Sequence, residues 1–167
     1  MKLFKNIKKW LENQEHLFYL FLLILIVPNI ILCFTEPMPV VAKVCNVLLP
    51  FAFYYLLMTL SRNCGKMFWI LFLFIFFGAF QIVLLYLFGQ SIIAVDMFLN
   101  LVTTNSSEAM ELLDNLVPAL VSVIILYIPA LILAAISIIK KRKLSSEFIR
   151  RERKKAWIAL LIGFISL

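Results

Sequence analysis

Asn100, Thr104 and Glu108 recur at intervals of four within the stretch DMFLNLVTTNSSEAMELLDNL, residues 96–116. On a helix that spacing places an amide, a hydroxyl and a carboxylate on one slowly drifting face, with Asp96, Thr103, Ser107 and Glu111 beside them. Phe98, Leu99, Leu101, Val102, Ala109, Leu112 and Leu113 fall mainly elsewhere, so the segment reads as an amphipathic helix, or two short ones, whose polar face could line a cavity. The chemistry on offer is binding. Thr103 and Thr104 are not nucleophiles, because no base or metal accompanies them. A second reading follows from the same spacing: in Asn105-Ser106-Ser107-Glu108 the asparagine caps a helix and the glutamate reaches back to the cap. One carboxylate could serve both roles.

The elements that must position these residues are membrane helices. Hydrophobic residues make up 64% of the 167 and charged residues only 15%, and apolar runs of about twenty residues recur, so the chain is an integral membrane protein. Spans are expected over residues 17–34, 40–60, 67–88 and 117–139, each near the length that crosses the hydrocarbon core. Pro28, Pro50 and Pro129 fall inside them as kinks that neighbouring groups must compensate. Residues 1–16 put Leu3, Phe4, Ile7, Trp10 and Leu11 on one face and Lys2, Lys5, Lys8 and Lys9 largely on the other, as an interfacial helix does. The fold class expected is therefore all-α: a polytopic helical bundle of four full spans with a truncated fifth, and an amphipathic helix in the outward segment 89–116.

Charge sets the orientation. If the spans alternate, fifteen of the sixteen Lys and Arg fall on one side, leaving Lys43 alone on the other. That side is expected to be cytoplasmic, with Trp10, Trp69 and Trp157 at its interface. The outward segment has no base at all, which topology explains; topology does not explain its polar residues. The net charge of +7 sits beside apolar runs, where anionic head groups and translocation bias account for it, so nucleic acid is excluded as a partner.

A fifth apolar run, AWIALLIGFISL from Ala156, has twelve residues and would reach roughly 18 Å against a core of about 30 Å. It is too short to cross. The sequence therefore reads either as ending in a re-entrant segment or, preferably, as the front part of a longer protein. Cys33, Cys45 and Cys64 are expected as free thiols, since no CxxC occurs and His16 is the single histidine. Asn46 and Gln81 are candidates for hydrogen bonds between helices, Lys43 for reaching lipid phosphates, and Asp96 and Asp114 for solvated or capping roles.

With these residues in hand, NLVTTNSSEAMELL, preceded by apolar spans and a basic inner loop, resembles the membrane domain of the lipid A phosphoethanolamine transferases, including the mobile colistin-resistance enzymes. The pattern Asn-x-x-x-Thr-x-x-x-Glu followed by Ala and an apolar run is met here by Asn100, Thr104, Glu108 and Ala109. The resemblance implies a bacterial inner-membrane protein, with 89–116 periplasmic, that helps move phosphoethanolamine from phosphatidylethanolamine to lipid A or a related glycan. Asn100, Thr104 and Glu108 would line the donor head-group pocket: Glu108 pairing with the ammonium, the Asn100 amide and Thr104 hydroxyl binding phosphate or glycerol oxygens. It further implies a periplasmic domain of the alkaline phosphatase type that supplies a threonine nucleophile and zinc. That domain is absent from this chain, which carries no catalytic residues, metal ligands or cofactor of its own and should be inactive alone. The rival expectation is a non-enzymatic membrane scaffold or subunit that binds a partner through its outward helix; a transporter is disfavoured by the scarcity of ionisable residues within the spans.

Overall fold

The computed structural model describes residues 10–89 and 106–166. Among them the chain is all-helical: α1 (Gln14–Thr35), α2 (Val40–Met58), α3 (Cys64–Ile70), α4 (Phe72–Phe88), α5 (Ser106–Ile139) and α6 (Ser146–Ile165). By length and composition α1, α2 and the Leu116–Ile139 part of α5 can each cross a membrane, and α3 with α4 makes a fourth if the bent pair counts as one span.

The starts and stops follow local chemistry. Asn13 caps α1 by accepting from the Glu15 N–H at 2.9 Å, and Ser145 caps α6 by accepting from the Phe148 N–H at 3.1 Å. Helix α4 ends on Gly89 at φ +67°, whose N–H returns to the Leu85 carbonyl. Helix α5 ends with Lys141 at φ +50°, where the Lys141 and Arg142 N–H groups bond the Ile138 and Ser137 carbonyls. This is the double return bond that closes helices on a left-handed residue.

Three expectations need correction. The third span is not one helix over 67–88: α3 and α4 meet at an angle of 62°. Neither Pro nor Gly marks the break; Leu71 sits at φ −80°, ψ 11° and its carbonyl accepts from both Phe74 and Ile75, a local tightening of the helix. Of the outward segment expected to form an amphipathic helix, residues 90–105 lie outside the described residues, and 106–116 are the first turns of α5, continuous with the span through Pro118. The last helix begins at Ser146, ten residues before the apolar run that signalled it. At the N-terminus residues 1–9 lie outside the described residues; the turn Trp10–Glu12 is helical, and residues 14–16 already belong to α1.

Helix α1 is the hub. Leu17, Phe18, Phe21, Leu22 and Leu25 recur at intervals of three and four and are buried. Phe21 stacks on Phe68 at 4.4 Å, while Phe18 meets the edge of Phe148 at 5.5 Å and packs near Tyr55 at 6.0 Å. In lipid there is little hydrophobic drive between helices, so close packing must hold them. At the tightest contact, between α3 and α5, a methyl group on Gly65 would overlap the Ala134 carbonyl oxygen and lie 3.0 Å from the Ser137 Cβ. The facing stripe on α5, Ala130, Ala134 and Ser137, is buried and small throughout.

Helix α6 lies antiparallel to α2. Glu152 meets Tyr55, Arg153 reaches the Thr59 carbonyl, Gly163 packs on Leu48 and Leu49, and Ser166 accepts from Cys45. Alternation of the helices gathers residues 10–16, 59–66 and 137–155 at one end. There Arg62 and Leu144 exchange backbone and side-chain bonds at 2.7 and 2.9 Å, and Arg142 reaches Glu12. The Lys and Arg residues from 62 to 66 and from 140 to 155 therefore share one end of the bundle, while the connection between α4 and α5 leaves from the other.

Candidate functional site

Asn100 and Thr104, the two neutral members of the expected binding group, lie outside the described residues, as do Asp96 and Asn105. Glu108 is on the first turn of α5, in a segment whose side chains are likewise outside the description. The frame around them is described: α4 ends at Gly89, α5 opens at Ser106, and α5 packs against α4 where Gly78 meets Tyr127 and against α3 where Gly65 meets Ala134. Among the described residues no group of three or more His, Cys, Asp or Glu could hold a metal ion.

Besides Gln14, whose Oε1 accepts from Ser137 and Cys64, two polar clusters form among the described side chains. The first joins α1 to α2. Asn29 Nδ2 donates to Asn46 Oδ1 at 3.2 Å, and Asn46 Nδ2 donates back to the Asn29 carbonyl at 2.8 Å and to Cys33 Sγ at 3.4 Å. The expectation for Asn46 thus holds. The pair thus ties α1 to α2 through two bonds, and Pro28 and Pro50, beside or one turn beyond it, free carbonyls nearby. The thiols belong to the same layer: Cys33 donates to the Lys43 carbonyl and Cys45 to the Ser166 carbonyl, and all three cysteines are free. We expect Asn46→Ala to cost about 1 kcal/mol of stability in detergent, with Asn29→Ala adding little more because both remove one shared bond. Thermal melts of the two single variants and the double variant provide the measurement.

The second cluster surrounds Glu152, which is fully buried on α6. Tyr55 on α2 donates its hydroxyl to Oε2, while Arg151 Nε and Lys155 Nζ approach Oε1 at 2.9 and 3.0 Å. Tyr19 on α1 faces it as well. Burial pushes the carboxyl pKa up, but the hydrogen bonds from Tyr55, Arg151, Lys155 and Tyr19 outweigh burial and hold it at about 2. The anion ties three helices together at the basic end. Nothing about it suggests turnover, since every bond it makes is to a residue that packs or pairs.

Glu152 was readable in the sequence though easily passed over. Within RRERKK it is the single acid, and it follows Phe148 and precedes Ala156 at four-residue steps, on the apolar side of the helix. A lone carboxylate on that face, flanked by bases, signals an internal ion cluster; the surrounding charge run reads instead as a solvated surface. Compared with known protein families, curated proteins and solved structures, the chain matches none of them.

Proposed function

We propose that this chain is the membrane domain of a phosphoethanolamine transferase, anchoring the enzyme and lining the site for the head group of phosphatidylethanolamine, with lipid A or a related glycan as acceptor. One observation carries the reading: Asn100 and Thr104, ahead of α5, and Glu108, on its first turn, keep four-residue spacing in front of Ala109 and an apolar run. Helices alone among the described residues, three or four of them candidate spans, and bases gathered at the end away from the α4–α5 connection suit such a domain. In this reading the inner membrane of a bacterium holds the bundle, and the polar segment meets lipid heads on the periplasmic side.

Glu108 balances the donor's ammonium, and the Asn100 amide and Thr104 hydroxyl hold phosphate or glycerol oxygens. These residues position; in such an enzyme the chemistry belongs to a zinc-dependent domain of the alkaline phosphatase type. Positioning alone can contribute strongly to rate.

The test uses the full polypeptide encoded by the gene, reconstituted in phosphatidylethanolamine vesicles with lipid A, and mass spectrometry of the acceptor. Glu108→Ala is expected to lower transfer on the order of 10- to 100-fold, the weight of a charge-assisted hydrogen bond, while the protein stays in the membrane. Absence of transfer by the wild type rejects the activity. Undiminished transfer by the variant rejects the role of Glu108.

A further inference from the structure

Helix α6 carries five bases, and three of them are engaged. Arg151 and Lys155 pair with Glu152, Arg151 also covers the Phe148 ring at 5.3 Å, and Arg153 Nη2 donates to the Thr59 carbonyl at 2.6 Å. Arg150 and Lys154 remain exposed and have no partner among the described residues. They are four apart, so they stand one above the other on the helix surface, about 6 Å apart along the axis. Glu147, one turn earlier, forms no ion pair with Arg150 and marks the edge of the patch.

The same face continues apolar. Trp157, Ile158, Leu161 and Ile165 are all exposed and fall with Arg150 and Lys154 within about 100° of arc, opposite the buried Phe148, Glu152, Ala156 and Gly163. From Lys154 to Ile165 the helix rises about 16 Å, close to the roughly 15 Å depth of one leaflet. Along one stripe the helix thus presents two unpaired cations, an amphipathic indole and a run of aliphatic side chains. That order is the profile of a phospholipid: anionic head, interfacial glycerol, acyl chains.

We infer that this face of α6 is a binding site for an anionic two-chain phospholipid, with Arg150 and Lys154 on the phosphodiester, Trp157 at the glycerol level and Ile158, Leu161 and Ile165 along the acyl chains. The internal pairing of Arg151, Arg153 and Lys155 is what leaves selectivity to two residues. A zwitterionic lipid fits the apolar part equally and has the same phosphodiester, but its ammonium cancels that charge, so it gains less from the two cations than a lipid of net negative charge. The site is separate from the head-group site proposed above and does not rest on it.

The test reads Trp157 fluorescence in the full chain carrying Trp10→Phe and Trp69→Phe, in vesicles of phosphatidylcholine doped with brominated phosphatidylglycerol or, at equal mole fraction, brominated phosphatidylcholine. The anionic quencher is expected to be preferred on the order of 10-fold. Arg150→Gln with Lys154→Gln should bring the two quenchers to parity, and Arg150→Lys with Lys154→Arg should keep the preference. Parity in the starting protein overturns the site, and so does a preference that survives the glutamine pair, which would assign the attraction to the basic end at large. Trp157 shielded from both quenchers overturns it too, because protein then covers the face.

Discussion

Replacing Glu152 by alanine should loosen α6 from α1 and α2 and cost about 3 kcal/mol of stability. The carboxylate is wholly buried, and its removal leaves the Tyr55 hydroxyl without its acceptor and Arg151 and Lys155 without their anion. The two bases are largely exposed and can turn to water, which keeps the loss at the lower end of the range for broken buried pairs. Glu152→Gln, which keeps an acceptor for Tyr55, should lose roughly half as much. Melting in detergent measures the loss, and maleimide labelling of Cys45 locates it, since that thiol rests against Ser166 at the far end of α6.

Acid should reproduce the effect. The folded pKa of Glu152, about 2, lies below the ordinary value of 4.5, so the stabilisation is complete above about 4.5 and is lost as pH falls from there towards 2. The melting temperature of the wild type should drop through that window, and Glu152→Gln should remove this component of the drop. Identical acid profiles for the two proteins would refute the cluster's part in stability.

The second large effect is expected at Gly65. A leucine there has no room, because even a methyl group collides with the Ala134 backbone carbonyl, and a helix backbone cannot step aside as a side chain can. Gly65→Leu should therefore cost about 3 kcal/mol, at the upper end for overpacking, and part α3 from α5. Cys64, next in sequence and fully buried beside Gln14, reports on the separation. Its thiol should become readily labelled in Gly65→Leu and remain protected in Gly78→Ala. At Gly78 the crowding atoms are the Tyr127 hydroxyl and the Pro28 ring, side chains on α5 and α1, so the strain falls away from the α3 contact that covers Cys64.

Much of this architecture is legible in the chain. The apolar runs locate α1, α2 and the membrane part of α5 to within a few residues, because twenty consecutive apolar side chains admit few other structures in lipid. The break between α3 and α4 is not legible: MFWILFLFIFF contains no helix breaker, and the bend depends on where Asn63, Gly65 and Gly78 fasten each half to its neighbours. The continuity of α5 from Ser106 was obscured by composition. Polar residues up to Asn115 suggested a separate element, yet a helix carries polar and apolar turns on one axis without interruption. Of the candidate site, the spacing of Asn100, Thr104 and Glu108 is legible, and their mutual geometry depends on contacts that a sequence does not state. The unpaired state of Arg150 and Lys154 is similarly tertiary, since all five bases of α6 look alike until their partners are known.

The bond from Tyr55 to Glu152 joins positions 97 residues apart, and Arg153 reaches back 94 to Thr59. During synthesis α6 leaves the ribosome after α3, α4 and α5, so the groove on α1 and α2 stands open while those helices insert, with a tyrosine hydroxyl and a carbonyl awaiting their partners. Assembly of the bundle thus has a built-in late step, and a chain halted before Glu152 would present that unfinished groove to the quality-control machinery of the membrane.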